Sequence, residues 1–200
     1  GSVTAAYQLN TGDSIAVPVV GWGGGAWGSG VWGTGGTTDT PIRLWSQSNF
    51  GEDLVFGPRG GGVFYWDATN GATTRGVNIS TLAGASDTPT IQNFILVSDT
   101  SRFVFCFGAN TIGTSVQDPM LIRWSAQEDV AVWTPSATNE AGSLRLSRGS
   151  SIICAKQARQ EVLVWTDSSL YSLQYLGGQT VWGSQLVGDS TSIISPNAAC

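Results

Sequence analysis

Two pairs of adjacent carboxylates are the residues whose types could perform acid–base chemistry. Glu52-Asp53 and Glu128-Asp129 each follow a similar stretch of sequence, and each precedes an apolar run. Two carboxyl groups about 5 Å or more apart can hydrolyse a glycosidic bond. Because neighbours along a strand point to opposite faces, a catalytic pair would need one member from each copy. We favour the structural interpretation, in which each pair ends a turn and solvates the entrance to a strand.

Other chemistries are disfavoured by residues that the sequence lacks or misplaces. The chain contains no histidine, so imidazole cannot act as base, acid or metal ligand, and Lys156 is the only lysine that could activate a serine. Residues 67–71 offer too few oxygen ligands for Ca²⁺. The GxGxxG match at 28–33 lacks the strand and helix that a dinucleotide site needs. We therefore predict a protein that is not an enzyme, with no catalytic residue, cofactor or metal site.

The three cysteines are not expected to form a disulfide framework. Cys106, Cys154 and Cys200 are odd in number and widely spaced, and none lies in a CxxC motif. Cys106 and Cys154 stand among apolar neighbours. We predict that both are unpaired thiols in strands.

Length and composition indicate a turn-rich β protein. The 200 residues are 41% apolar and only 12% charged, with 27 glycines and 9 tryptophans. A net charge of −5 does not attract a phosphate backbone, so sequence-reading nucleic-acid binding is not expected. No apolar run reaches the roughly 18 residues that span a bilayer, and the first residues lack the features of a signal peptide. We expect a soluble protein without a membrane span.

The first 40 residues are predicted to be a separate arm or loop region, rich in glycine and tryptophan. Trp22, Trp27 and Trp32 repeat at a five-residue spacing, and glycine makes up most of what separates them. That much glycine disfavours both helix and strand. We predict that the three indoles contact a partner surface, the alternative being that they fold back onto their own domain.

Residues 41–200 are predicted to be an all-β domain with less than about a tenth of its residues in helix, because short apolar runs alternate with turns. Candidate strands are 54–56, 63–66, 94–97, 102–107, 120–124, 130–133, 151–155, 161–165, 170–175 and 180–186. The run 103–107 is apolar on both faces, which indicates an inner strand. Five tryptophans that end or lie within apolar runs are expected to be mostly buried: Trp45, Trp66, Trp124, Trp133 and Trp165.

Two internal similarities indicate β-propeller-like blades of short antiparallel strands. Residues 42–47 resemble residues 122–127, and residues 94–105 resemble residues 161–173 as strand, turn and strand. Four-stranded units of about 40 residues would give roughly four blades, too few to close a ring comfortably. We expect an incomplete ring that needs further chain or a partner.

Three segments carry a resemblance to a known family: residues 121–142, which include Trp124-Ser125 and Trp133-Thr134-Pro135, residues 160–175, and residues 193–199. They resemble the tail nozzle proteins of short-tailed bacteriophages, also described as tail tubular or packaged-DNA-stabilisation proteins. Val130 stands where a proline is commoner in that family. The arm is similar to a glycine and aromatic stretch that often precedes this region in marine phage members.

The resemblance implies a propeller-bearing structural subunit of the phage tail, located in the virion. Six copies would form a homo-oligomeric tube below the portal, with adaptor and fibre proteins as neighbours. The tube would retain packaged DNA and conduct it during ejection, so that genomic DNA is a non-specific passenger. Family members are longer than 200 residues, which would make this chain a portion of a larger protein. The acidic, lysine-poor composition agrees, since a wall that passes DNA should not hold it.

Two other classes remain open. The first is a carbohydrate-binding β module that recognises host-surface glycans, because exposed indoles stack on sugars. The second is a glycosidase domain on a propeller, since propellers host unrelated functions. Glycan binding would need tryptophans in one cleft beside Asn, Asp or Arg, whereas a nozzle subunit would bury them between subunits.

Overall fold

The computed structural model describes residues 44–99, 101–178 and 180–199, and this part of the chain is all-β. Of these residues, 43% are in strands and 4% are helical. The helical residues form two single 3-10 turns, Ala68–Asn70 and Ile79–Thr81. The predicted fold class and low helix content are confirmed. Within the described ranges, no helix is long and apolar enough to cross a membrane.

Twelve strands in the described residues form three four-stranded antiparallel sheets. Sheet one contains β1 (Trp45–Phe50), β2 (Asp53–Pro58), β3 (Phe64–Trp66) and β4 (Val77–Asn78). Sheet two contains β5 (Phe94–Val97), β6 (Val104–Phe107), β7 (Leu121–Trp124) and β8 (Gly142–Arg145). Sheet three contains β9 (Ile152–Gln157), β10 (Glu161–Thr166), β11 (Ser169–Tyr175) and β12 (Trp182–Asp189). Each strand pairs with the next one along the chain, which is the arrangement of a propeller blade.

Sheet two shares an apolar core with each of the other sheets. In β6, Phe105 and Phe107 belong to the core shared with sheet three, whereas Val104 and Cys106 belong to the core shared with sheet one. Alternate residues of a strand point to opposite faces. All four are fully buried because both faces of β6 are covered. Burying one such phenylalanine stabilises the fold by about 2 to 3 kcal/mol. The predicted inner strand at 103–107 is confirmed.

The first strands of the three sheets lie side by side in the order β1, β5, β9. On the side of β5 away from β6, the Ile95 amide donates to Ser46 Oγ at 3.0 Å and the Val97 amide donates to Ser48 Oγ at 3.1 Å. An edge strand normally leaves such amides unpaired. Arg59, just after β2, donates to a main-chain carbonyl of β9 at 3.1 Å. Side chains therefore connect the sheets where main-chain pairing ends.

The prediction of buried tryptophans is correct for two of the five. Trp124 and Trp133 are 5% and 0% exposed. Trp66 and Trp165 are only partly buried. For Trp45 the prediction is wrong, because this side chain is 53% exposed. Trp45 lies on the face of sheet one that points away from sheet two, and no other described strand packs against that face.

Three predictions about the repeat and its strands need correction. Residues 130–133 are not a strand, since only Val132 pairs there, in an isolated parallel bridge with Ser86. The similar segments 42–47 and 122–127 are not equivalent, because Trp45 lies in the first strand of its sheet and Trp124 in the third strand of its sheet. The described residues form three sheets instead of about four, because long connections around β7 lengthen sheet two. The division of the chain near residue 40 stays a prediction.

Candidate functional site

In each carboxylate pair, the aspartate accepts hydrogen bonds that hold local structure. Asp53 Oδ1 accepts a hydrogen bond from the Ala68 amide at 3.0 Å, and its other oxygen accepts one from the Tyr65 hydroxyl. Burial and this bond raise the pKa of Tyr65. Asp129 Oδ1 accepts a bond from the Ala131 amide at 2.7 Å. The glutamate of each pair is exposed in a turn. This geometry agrees with the structural interpretation of both pairs.

Arg123, the arginine of segment 121–142, is fully buried in β7. Its guanidinium lies 2.9 Å from the Asp87 carboxylate and donates to the Asn110 main-chain carbonyl at 3.3 Å and to that of Asp87 at 2.5 Å. Asp87 belongs to the connection from sheet one to sheet two, and Asn110 to the loop between β6 and β7. Burial lowers the pKa of Arg123, while the nearby Asp87 opposes that change. Arg123 therefore holds two loops against the middle sheet.

Other residues of segment 121–142 also build the middle sheet. Trp124 Nε1 donates to the Glu140 carbonyl at 2.7 Å, and Trp133 Nε1 donates to the Val130 carbonyl at 2.8 Å. The Ser125 hydroxyl accepts a hydrogen bond from a β6 amide at 3.1 Å. The side chains of Arg123, Trp124, Ser125 and Trp133 are thus structural.

The two described cysteines are free, buried thiols, as predicted. Cys106 lies in β6 and Cys154 in β9. Burial raises the pKa of Cys106 and raises the pKa of Cys154 to about 11. Thiols of this kind stay protonated at neutral pH and react slowly. Over the described ranges, no group of three or more Cys, Asp or Glu side chains could hold a metal ion.

An open groove of about 510 Å³ lies where sheet two meets sheet three. One part of its rim is the turn between β5 and β6, with Ser98 and Ser101, and another is residues 157–161 between β9 and β10. Tyr175 at the end of β11 and Trp182 at the start of β12 supply its aromatic side. These two residues are paired across the strands, and their rings meet nearly edge to face at 5.3 Å. Tyr175 is 47% exposed, whereas Trp182 is buried.

Two buried polar atoms of groove residues have no hydrogen-bond partner: the donor Trp182 Nε1 and the acceptor Gln157 Oε1. The amide nitrogen of Gln157 donates to the Ala158 carbonyl at 2.8 Å and the Glu161 carbonyl at 3.3 Å. These bonds fix the amide orientation and leave Oε1 as an acceptor. An unpaired buried polar group costs about 1 to 3 kcal/mol, so each such atom requires an explanation.

No pattern in the sequence indicates this groove. Its residues come from four separate regions of the chain, and none forms a motif with its sequence neighbours. The pairing of Tyr175 with Trp182 follows from the β11–β12 register. That register becomes visible only when the strands are assembled.

A second candidate surface is the face of sheet one that points away from sheet two, which we call the outer aromatic face. It consists of Trp45, Leu54, Phe56, Phe64 and Trp66, in which Leu54 lies opposite Trp66 and Phe56 opposite Phe64. The Phe56 ring centroid is 6.3 Å from that of Trp45 and 5.7 Å from that of Phe64. Trp45 is 53% exposed and the other four side chains are partly buried, so the described residues cover this apolar face incompletely. Such a face favours an interaction surface.

The tryptophans predicted to contact a partner, Trp22, Trp27 and Trp32, lie outside the described residues. Their role stays a prediction. No protein-family model matches the chain, and no curated protein sequence matches it significantly. The functional interpretation therefore depends on the residues and on the geometry described above.

Proposed function

We propose that this chain belongs to a structural, non-enzymatic subunit of the tail nozzle of a short-tailed bacteriophage, located in the virion. Copies of the subunit form a ring of six that adjoins adaptor and fibre proteins. The observation that carries the proposal is the stack of three blade-like sheets that ends in the outer aromatic face. A stack whose described residues leave apolar side chains incompletely covered at one end is suited to completion by a neighbouring surface.

The packing of segment 121–142 supports the proposal. This segment supplies β7, the buried Arg123 and the buried Trp133, which together organise the middle sheet. A resemblance carried by such residues favours a shared fold. The outer aromatic face then provides a surface through which this fold contacts a neighbouring subunit, as a structural subunit requires.

The charge distribution supports a wall that lets DNA pass. The chain has a net charge of −5. Arg123, Arg145 and Arg148 are each paired with an aspartate. Tight binding to duplex DNA depends on cations that release counterions from the phosphates. An acidic subunit with one lysine and eight arginines, three of them paired with aspartates, provides few such cations, so DNA is a passenger and not a ligand.

Native mass spectrometry and electron microscopy of the full-length protein test this proposal. We expect a ring with sixfold symmetry that does not shift a duplex DNA fragment in a gel at about 50 mM salt, a condition that strengthens non-specific binding. A protein that stays monomeric at micromolar concentration, or a ring that binds duplex DNA tightly, would overturn the proposal.

A triple substitution in the arm tests its part in assembly. Burying one indole contributes about 2 kcal/mol, so replacing Trp22, Trp27 and Trp32 with Ala should weaken the ring. The unfolding midpoint of the isolated subunit should hardly change. The matched triple Phe variant should retain most of the assembly. Earlier unfolding of the isolated triple Ala subunit would mean that the indoles belong to its own core.

A further inference from the structure

We propose that the groove between sheets two and three is a binding site for a neutral saccharide. This site is separate from the outer aromatic face and does not depend on ring formation. Three features of the groove support the assignment: an exposed aromatic ring, two unpaired polar atoms of opposite kinds, and a rim rich in amide and hydroxyl groups.

The aromatic feature is Tyr175, which is 47% exposed although the two rings it packs against, Trp182 and Phe103, are buried. Its ring is held in place by Trp182 at 5.3 Å and by Phe103 at 6.0 Å. Sugar rings have an apolar face of C–H groups that packs well on an aromatic ring. A supported ring loses little conformational freedom when a ligand covers it.

The polar feature is the combination of a free donor and a free acceptor. Trp182 Nε1 donates to nothing and Gln157 Oε1 accepts from nothing, and both residues line the groove. Both atoms lie beneath the groove surface, so a ligand pairs with them only after the side chains around them shift. A sugar hydroxyl donates and accepts at once and is then a partner for either atom. Gln127 and Gln160 on the same rim add further amide groups.

The charges of the rim favour a neutral ligand. Arg159 and Glu161 both line the groove, so its formal charges cancel. An anionic ligand would meet Glu161 and a cationic one would meet Arg159. A nucleic acid would need a cluster of basic groups. An extended peptide prefers a free sheet edge, whereas this rim is made largely of turns.

Calorimetric titration of the full chain with neutral oligosaccharides of glucose, galactose, mannose and N-acetylglucosamine tests the site. We expect at least one of these probes to bind and to change the indole fluorescence. Tyr175→Ala should weaken binding at least tenfold, while Tyr175→Phe should stay within about threefold because the ring remains. Trp45→Ala, which removes an exposed indole outside the groove, is the matched control and should leave binding unchanged.

A second variant, Trp182→Phe, keeps an aromatic ring but removes the Nε1 donor. We expect about a tenfold weaker affinity with a folded circular-dichroism spectrum. Absence of binding by every probe at 10 mM, a concentration on the order of that needed to detect millimolar affinity, would overturn the proposal. An equal loss of saccharide affinity in Trp45→Ala and Tyr175→Ala would also overturn it. So would a hydrogen-exchange measurement in which a second copy of the chain protects the groove residues.

The outcomes separate this site from the nozzle proposal. A monomer that binds an oligosaccharide through Tyr175 would refute the ring and support the site. A ring of six that binds none of the probes would support the nozzle and refute the site.

Discussion

Removing the charge of Asp87 should destabilise the protein strongly, because Asp87 is the only carboxylate paired with the buried Arg123 in the described residues. We choose Asp87→Asn because Asp87 has a φ of 42°, a conformation that Asn tolerates. Breaking a buried ion pair costs about 3 to 5 kcal/mol. The Asp87 side chain is 26% exposed and Arg123 keeps two carbonyl partners, so we expect the lower limit, about 3 kcal/mol.

For a chain of this size, about 3 kcal/mol lowers the melting temperature by roughly 6 to 12 °C. Scanning calorimetry and urea unfolding measure both quantities. The matched control is Asp189→Asn, since Asp189 pairs with Arg148 and both side chains are more than half exposed. Surface pairs contribute at most about 1 kcal/mol, so the control should melt within about 4 °C of the parent protein. If Asp87→Asn melts as high as the control, Arg123 does not depend on a buried counter-charge.

Four further expectations follow from the packing. Gly142→Ala would place a Cβ 2.5 Å from Trp124 Cζ2 and should cost about 1 to 3 kcal/mol; an unchanged urea midpoint would contradict this contact. Ser46→Ala leaves the buried Ile95 amide without its acceptor and should lower the free energy of unfolding by about 1 to 3 kcal/mol. A loss below about 0.5 kcal/mol, the smallest net contribution of a hydrogen bond, would show that the amide finds another partner. Burial raises the pKa of Cys154 to about 11, so only about a thousandth of this thiol is thiolate at pH 8. A Cys200→Ser protein should therefore react with a disulfide reagent far more slowly when folded than in denaturant. Equal rates would refute this burial. Incubation with a chelator should leave the melting temperature unchanged, and a drop of several degrees would reveal a metal site.

Local patterns in the sequence determined the fold class and the positions of most strands. The alternation of apolar residues with turns is a property of adjacent residues, so it identifies hairpins such as β2–β3 and β10–β11 without knowledge of their neighbours. The same reasoning identified the inner strand at 103–107, because a run that is apolar on both faces must be covered on both. The buried thiols of Cys106 and Cys154 follow from their apolar neighbours.

The tertiary structure alone decided which faces are covered and which distant groups meet. The alternation in β1 and β2 does not show that Trp45 lies on the face that no described sheet covers. The sequence of β7 does not show that Arg123 meets Asp87, since that pair depends on a loop 36 residues earlier. The groove beside Tyr175 and Trp182 likewise exists only because sheets two and three stack. The physical reason is that strand formation depends on period-two patterns within a segment, whereas burial and polar pairing depend on contacts between segments whose register and stacking no single segment encodes.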